Sequence, residues 1–143
     1  MDITIQRDPT GCGIACVAML AGVSYAAVKS VAESLGIRID DPALWSGTAH
    51  VRSLLRHYGV RAALAETPFA GWEKLPDTAL LATRWHLHKD VPHWHWSVFI
   101  RNAGRPEVLD PKAALQRHRR SDFGRIRPQW FIAIGGHPRS AGT

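Results

Sequence analysis

Apolar and polar positions change rhythm about halfway along this chain. From Cys12 to Leu20 the residues are small and apolar on every side, a pattern that predicts a helix buried in a core rather than lying on a surface. Pro9-Thr10-Gly11 reads as the turn before it, with Thr10 as its cap, and Gly22 ends it. Ser24 caps a second helix over 24–36, with Val28, Val31 and Leu35 at helical spacing and Gly36 as the stop. A polar loop through Asp40, Asp41 and Pro42 leads to a third helix over 48–58, which turns Val51, Leu54, Leu55 and Tyr58 inward and ends at Gly59.

Beyond residue 60 the segments read as strands. Residues 61–66, 78–85, 94–102, 106–111 and 129–136 are apolar or alternating runs separated by turn signals. Residues 2–6 read as a short extended lead-in and 112–118 as a short helix. Helices first and strands second predict one α+β domain over 1–136, its N-terminal helices packed on a mostly antiparallel sheet, with a loose tail over 137–143.

Composition narrows the class. The chain has 143 residues, 45% hydrophobic and 21% charged, enough to bury a core without disulfides or metals. No apolar run reaches the roughly 18–20 residues of a membrane span. The N-terminus MDITIQRDP lacks the basic start and apolar stretch of a secretory signal, so no membrane partner and a cytoplasmic location are expected. Much of the net charge of +6 lies in 116–127, with Arg117, Arg119, Arg120, Arg125 and Arg127. Such a patch can hold phosphate or an acidic partner. Here it lacks the interleaved aromatics of RNA-reading strands and reads as a solvated helix end and loop, so nucleic acid is not an expected partner. Nothing in the composition speaks to oligomeric state.

The chemistry centres on the only two cysteines, Cys12 and Cys16. Four residues apart on one helix, they suit neither a disulfide nor a structural zinc site, which needs four ligands. Both are expected as free thiols. Cys12 stands in the first helical turn, where unpaired N–H groups and the helix dipole favour a thiolate. Gly11 and Gly13 beside it leave room for a substrate backbone. Two readings stay open for Cys12, nucleophile or small core residue; Cys16, a turn deeper, reads as core.

A nucleophilic thiol needs a base, and the base an orienting group. Four of the eight histidines fall in HLHKDVPHWH: His86, His88, His93 and His95. Alternation puts His95, Ser97 and Phe99 on one face of their strand and Trp96, Val98 and Ile100 on the other. A two-residue turn at Ala103-Gly104, or a four-residue loop over 102–105, would pair Ser97 with Asp110 and bring Asp110 diagonal to His95. A three-residue loop would turn Asp110 away unless a bulge intervened. Gln6 completes the set, since its amide can donate to an oxyanion together with the Cys12 N–H.

Taken together, Gln6, Cys12-Gly13-Ile14-Ala15-Cys16, His95-Trp96-Ser97-Val98 and Val108-Leu109-Asp110-Pro111 resemble the C39 and C39-like cysteine peptidases of the papain-like superfamily. The resemblance covers about residues 5–134. It implies a papain-like fold and a cysteine peptidase that cleaves a peptide or isopeptide bond of a peptide or protein substrate through a thioester. Cys12 would be its nucleophile, His95 its base, Asp110 the orienting residue and Gln6 the oxyanion donor, with no cofactor. Gly11 departs from the pattern, standing where the family usually places an acid.

Two other enzyme-level and binding-level readings are carried alongside: a papain-like acyltransferase or transamidase, and a peptide-binding module of the same fold without turnover. Among the six tryptophans, Trp94 and Trp96 are expected in the core, while Trp45, Trp72 and Trp85 are candidates to line a groove. The HxH pairs His86/His88 and His93/His95 could hold zinc or copper, but Lys89-Asp90-Val91-Pro92 between them reads as a mobile loop and no nearby Cys or Glu completes a set, so no metal is expected. Gly135-Gly136 ends the last strand rather than marking self-cleavage.

Overall fold

Helix α1 (Cys12–Ala21) is buried along nearly its whole length, as an all-round apolar segment must be. In the computed structural model, which describes residues 1–135, it runs between two further helices and a sheet. Gly22 closes it in the left-handed region at φ 71°, donating back to the Ala18 carbonyl. Ser24 accepts from the Ala27 N–H and starts α2 (Tyr25–Ser34). A single 3-10 turn, Pro42–Trp45, is capped by Asp41 and leads to α3 (Ala49–His57), whose His50, Val51, Leu54 and Leu55 point inward.

The strands are β1 (Thr67–Pro68), β2 (Thr78–His88), β3 (Val91–Asn102), β4 (Arg105–Leu109), β5 (Arg119–Arg120) and β6 (Pro128–Ala133). A short α4 (Phe123–Ile126) precedes β6. They form one antiparallel sheet in the order β1-β6-β2-β3-β4-β5, so the architecture is α+β. Both faces of the central strands are covered, which is why β2 and β3 carry apolar residues in succession. One face, with Leu80, Ala82, Trp96, Val98, Leu109 and Ile132, packs on α1, α2 and α3. The other, with Ala79, Leu81, Phe99, Val108 and Phe131, packs on Leu75, Trp72, Phe123 and Ile126. No single helix among the described residues is long and apolar enough to cross a membrane.

The structure corrects the sequence reading in several places. Residues 61–66 form no strand, only the Ala62–Ile134 bridge, and 112–118 form turns rather than a helix. Thr10 does not cap α1: its hydroxyl donates to the Ile39 carbonyl, Gly11 takes the cap position, and no side chain caps the helix. The segment 89–92 is not a loop throughout. Val91 and Pro92 belong to β3, which leaves a two-residue turn at Lys89-Asp90, both left-handed at φ 50° and 64°. Pro92 masks this strand in the sequence because proline lacks the N–H a ladder uses. The tail over 137–143 and Gly136 lie outside the described residues.

Gly13 does not keep space open for substrate either. A Cβ there would stand 2.7 Å from His50 Nε2, 2.8 Å from Val51 Cγ1 and 3.2 Å from Trp96 Cδ1. The glycine is what lets α1 lie against α3 and β3. Burial lowers the His50 pKa to about 4, against the opposing effect of Asp41, so a neutral imidazole fills this contact. Gly→Ala inside a helix ordinarily stabilises it by up to about 1 kcal/mol. Gly13→Ala should instead destabilise the fold by about 1–3 kcal/mol through overpacking, read as a lower denaturant midpoint with unchanged slope.

Candidate active site

The hairpin between β3 and β4 decides where Asp110 goes. Asn102 pairs with Arg105 across a two-residue turn, Ala103 at φ 53° and Gly104 at φ 78°, the left-handed pair that matches strand twist. The register then runs Phe99–Val108 and Val98–Leu109, which carries Asp110 opposite Ser97 and diagonal to His95. His95 Nε2 and Asp110 Oδ1 are 2.7 Å apart. The shorter-turn alternative is the one the chain adopts.

Asp110 is held from every side. The Lys112 N–H donates to Oδ1 at 3.1 Å, and Arg120 donates to Oδ2 at 2.9 Å. Its backbone N–H donates to the His118 carbonyl, and its own carbonyl meets His118 Nδ1, each at 2.8 Å. Arg120 is itself fixed by Asp122, whose two oxygens accept at 2.9 and 2.7 Å. Sequence reasoning placed Arg120 in a solvated charge run and missed His118 and Asp122 altogether. Only the pairing of β5 with β4, Val108 opposite Arg120, brings them to the site, and no periodicity announces a two-residue strand.

β4 stops at Leu109, so the part of β3 that carries His95 is bonded only to β2. The start of α1 lies beside that part. With Nε2 given to Asp110, His95 keeps Nδ1 uncommitted, and Cys12 is near enough to act on its titration. Cys12 is 2% exposed and lines the floor of a cleft of about 460 Å³. Gln6, Pro9, Trp45 and Lys112 line it together with Arg84, His86, His93 and Trp94 of the β2–β3 hairpin, and the Trp45 and His93 rings lie 5.9 Å apart. Because α1 has no side-chain cap, its leading N–H groups face this region without a local acceptor.

The electrostatics follow from burial and pairing. Burial by itself would lower the His95 pKa, but the bond to Asp110 and the bond and charge of Cys12 outweigh it and raise it to about 9. Asp110 shows the mirror image: burial pushes its carboxyl up, and His95, the Lys112 N–H and Arg120 bring it down to about 2. Cys16 is fully buried, and burial, with Cys12 and Asp110 adding to it, pushes its thiol well above the usual range. It cannot share the role of Cys12.

Gln6 reaches the cleft, and its backbone N–H is fixed to the Pro111 carbonyl at 2.9 Å. Its Nε2 donates to the Asp8 and Pro9 carbonyls at 3.0 and 3.3 Å, so donation to an oxyanion requires exchange of the longer bond. Gly11 cannot be the family's acid in another guise. A Cβ there would fall 2.0 Å from the Tyr25 hydroxyl. The carboxylate of this turn is Asp8, which accepts from Tyr25 at 2.7 Å and Lys29 at 3.2 Å.

Trp45 lines the cleft, while Trp72 packs among Phe69, Phe99 and Phe123 on the far face and Trp85 stands exposed outside the cleft lining. Among the described residues no three His, Cys, Asp or Glu side chains are arranged to hold a metal ion. Comparison of the chain with protein-family models, with curated proteins and with solved structures returned no match.

The His95–Asp110 pair has a worked-out pH signature. The raised histidine stabilises the fold fully below its ordinary 6.5 and loses that contribution as pH rises through about 9. The depressed aspartate contributes fully above its ordinary 3.8 and loses it as pH falls through about 2. The pair is therefore at full strength between 3.8 and 6.5. Nitrogen NMR of the His95 ring should show its titration near pH 9. In Asp110→Asn, burial is left with less opposition, and the titration should move to lower pH; an unmoved midpoint would contradict the pairing.

Proposed function

We propose that this chain is a papain-like cysteine peptidase of the C39-like kind, hydrolysing a peptide or isopeptide bond with Cys12, His95 and Asp110. One observation carries the reading: His95 is hydrogen-bonded to buried Asp110 and, with Cys12 close enough to help raise its pKa, lines the same open cleft as that thiol. A core cysteine needs neither a base nor a cleft.

The reaction that fits begins with the Cys12 sulfur attacking the carbonyl carbon while His95 holds the thiol proton. The tetrahedral oxyanion takes hydrogen bonds from the Cys12 N–H and, after exchange, from the Gln6 amide. The imidazolium then gives its proton to the leaving amine as the C–N bond breaks, which leaves a thioester. His95, now neutral, takes a proton from water as the water attacks, and the C–S bond breaks to release the acid and restore the thiol. Asp110 holds the ring and its charge through both halves, and Arg120 keeps Asp110 in place. The uncapped start of α1 supports this reading, because an orphaned N–H near a nucleophile is a donor waiting for charge.

Iodoacetamide at neutral pH should alkylate Cys12 well before Cys16, read by peptide mapping; equal rates, or Cys16 first, would sink the assignment. With a peptide-library substrate, Cys12→Ala should abolish cleavage without changing the melting temperature, and His95→Ala should lower it about 10²–10⁴-fold. Cys16→Ser should act on stability, since it puts a hydroxyl into an apolar contact.

A further inference from the structure

The cleft beside Cys12 is lined by Arg84, Lys112, His86 and His93 and by no acidic residue. Neither Arg84 nor Lys112 has a carboxylate partner among the described residues, a state they share with Arg7, Arg56 and Arg61; what sets these two apart is that both line the cleft that holds Cys12. Trp45 and Trp94 flank these cations and replace water with an apolar wall, which strengthens any charge–charge contact made between them.

The backbone of the hairpin shows that this lining is built. Thr83 pairs with His95 but His86 pairs with His93, so β2 carries one residue more than β3 between them. This bulge reverses the alternation. Without it His86 would fall on the face opposite His95; with it His86, His93 and His95 share one side. Arg84 is a residue of the bulge and sits at φ 55°, in the left-handed region that favours glycine and costs an arginine backbone energy. A guanidinium stands at the cleft where backbone geometry asks for no side chain at all.

We infer that the cleft selects a substrate bearing a carboxylate close to the bond that Cys12 attacks, with Arg84 and Lys112 as its two receptors. The inference rests on Cys12 being the proposed nucleophile and adds the substrate class. The carboxylate is either an acidic side chain or a free chain terminus, which offer the same group to the same cations. Burial and the neighbouring His88 and His86 hold the His93 pKa below the ordinary histidine value, so the two cations carry the charge of the cleft at neutral pH.

Iodoacetate and iodoacetamide test the idea with a matched pair, nearly equal in size and different by one charge. The ratio of their rates at Cys12 is compared with the ratio at N-acetylcysteine under the same conditions. The protein's preference for iodoacetate should exceed the reference roughly tenfold and shrink as salt is added. In Arg84→Gly/Lys112→Gln the ratio should fall toward the reference. Glycine keeps the bulge and relaxes it, the Lys112 N–H bond to Asp110 is a backbone bond, and a ratio cancels any common change in thiol reactivity.

Two blocked peptides then separate the sources by protecting Cys12 from iodoacetamide. One carries an internal Glu and an amidated end; the other carries Gln and a free terminal carboxylate. The better protector names the source, measured against a Gln peptide amide. If Cys12 reacts before Cys16 but neither the reagent ratio nor the peptides favour the anion, the substrate inference fails and the peptidase reading stands. If Cys12 shows no preference over Cys16 with either reagent, both fall together.

Discussion

Asp110 against His95 is the contact on which the site depends, and it depends in turn on the two-residue turn at Ala103-Gly104, which acts at a distance through the register of β3 and β4. A strand alternates its side chains with a period of two, so a loop one residue longer would send Asp110 to the helix-facing side of the sheet. Ala103 and Gly104 in the left-handed region prevent that. The carboxylate that results is almost fully buried, and a buried carboxylate is tolerated only with partners. His95, Arg120 and the Lys112 backbone N–H supply them. The same set of bonds therefore satisfies Asp110, aims the imidazole and ties β5 to the site.

Helix α1 meets this arrangement at a place that the sheet leaves open. β4 ends before it reaches the level of His95, and the helix start occupies the vacated edge of β3. Close approach there needs Gly13, whose missing side chain is replaced by His50, Val51 and Trp96, and Gly11, whose place is taken by the Tyr25 hydroxyl. Neither glycine widens the cleft. They bring the first turn of α1 near enough for a thiol on it to reach an imidazole on β3. Thr10, turned aside to Ile39, leaves the helix N-terminus uncapped. A capped end would be more stable by about 1 kcal/mol, so the absence is consistent with a helix end kept for chemistry.

The cleft itself belongs to the hairpin. Past the end of the sheet, β2 and β3 run on together to Lys89-Asp90 and form a wall beside Cys12. The bulge at Arg84 sets which side chains that wall presents. Two features of the wall, the left-handed arginine and His86 brought to the side of His93 and His95, arise from one extra residue.

A family resemblance drew Gln6, Cys12, His95 and Asp110 together as candidates, while the sequence by itself determined helices α1 to α3 and the middle of the central strands. These were legible because they rest on local rules: apolar periodicity, capping serine, terminal glycine and strict alternation along β3. It also left Asp110 within reach of His95 for two of three loop lengths. Only tertiary structure decided the rest. The two-residue turn, the β5 pairing that recruits Arg120, the bulge at Arg84 and the use of Gly11 and Gly13 as packing contacts have no local signature. Each is chosen by what lies on the other side of a contact, and a residue's own neighbours in the chain carry no record of that.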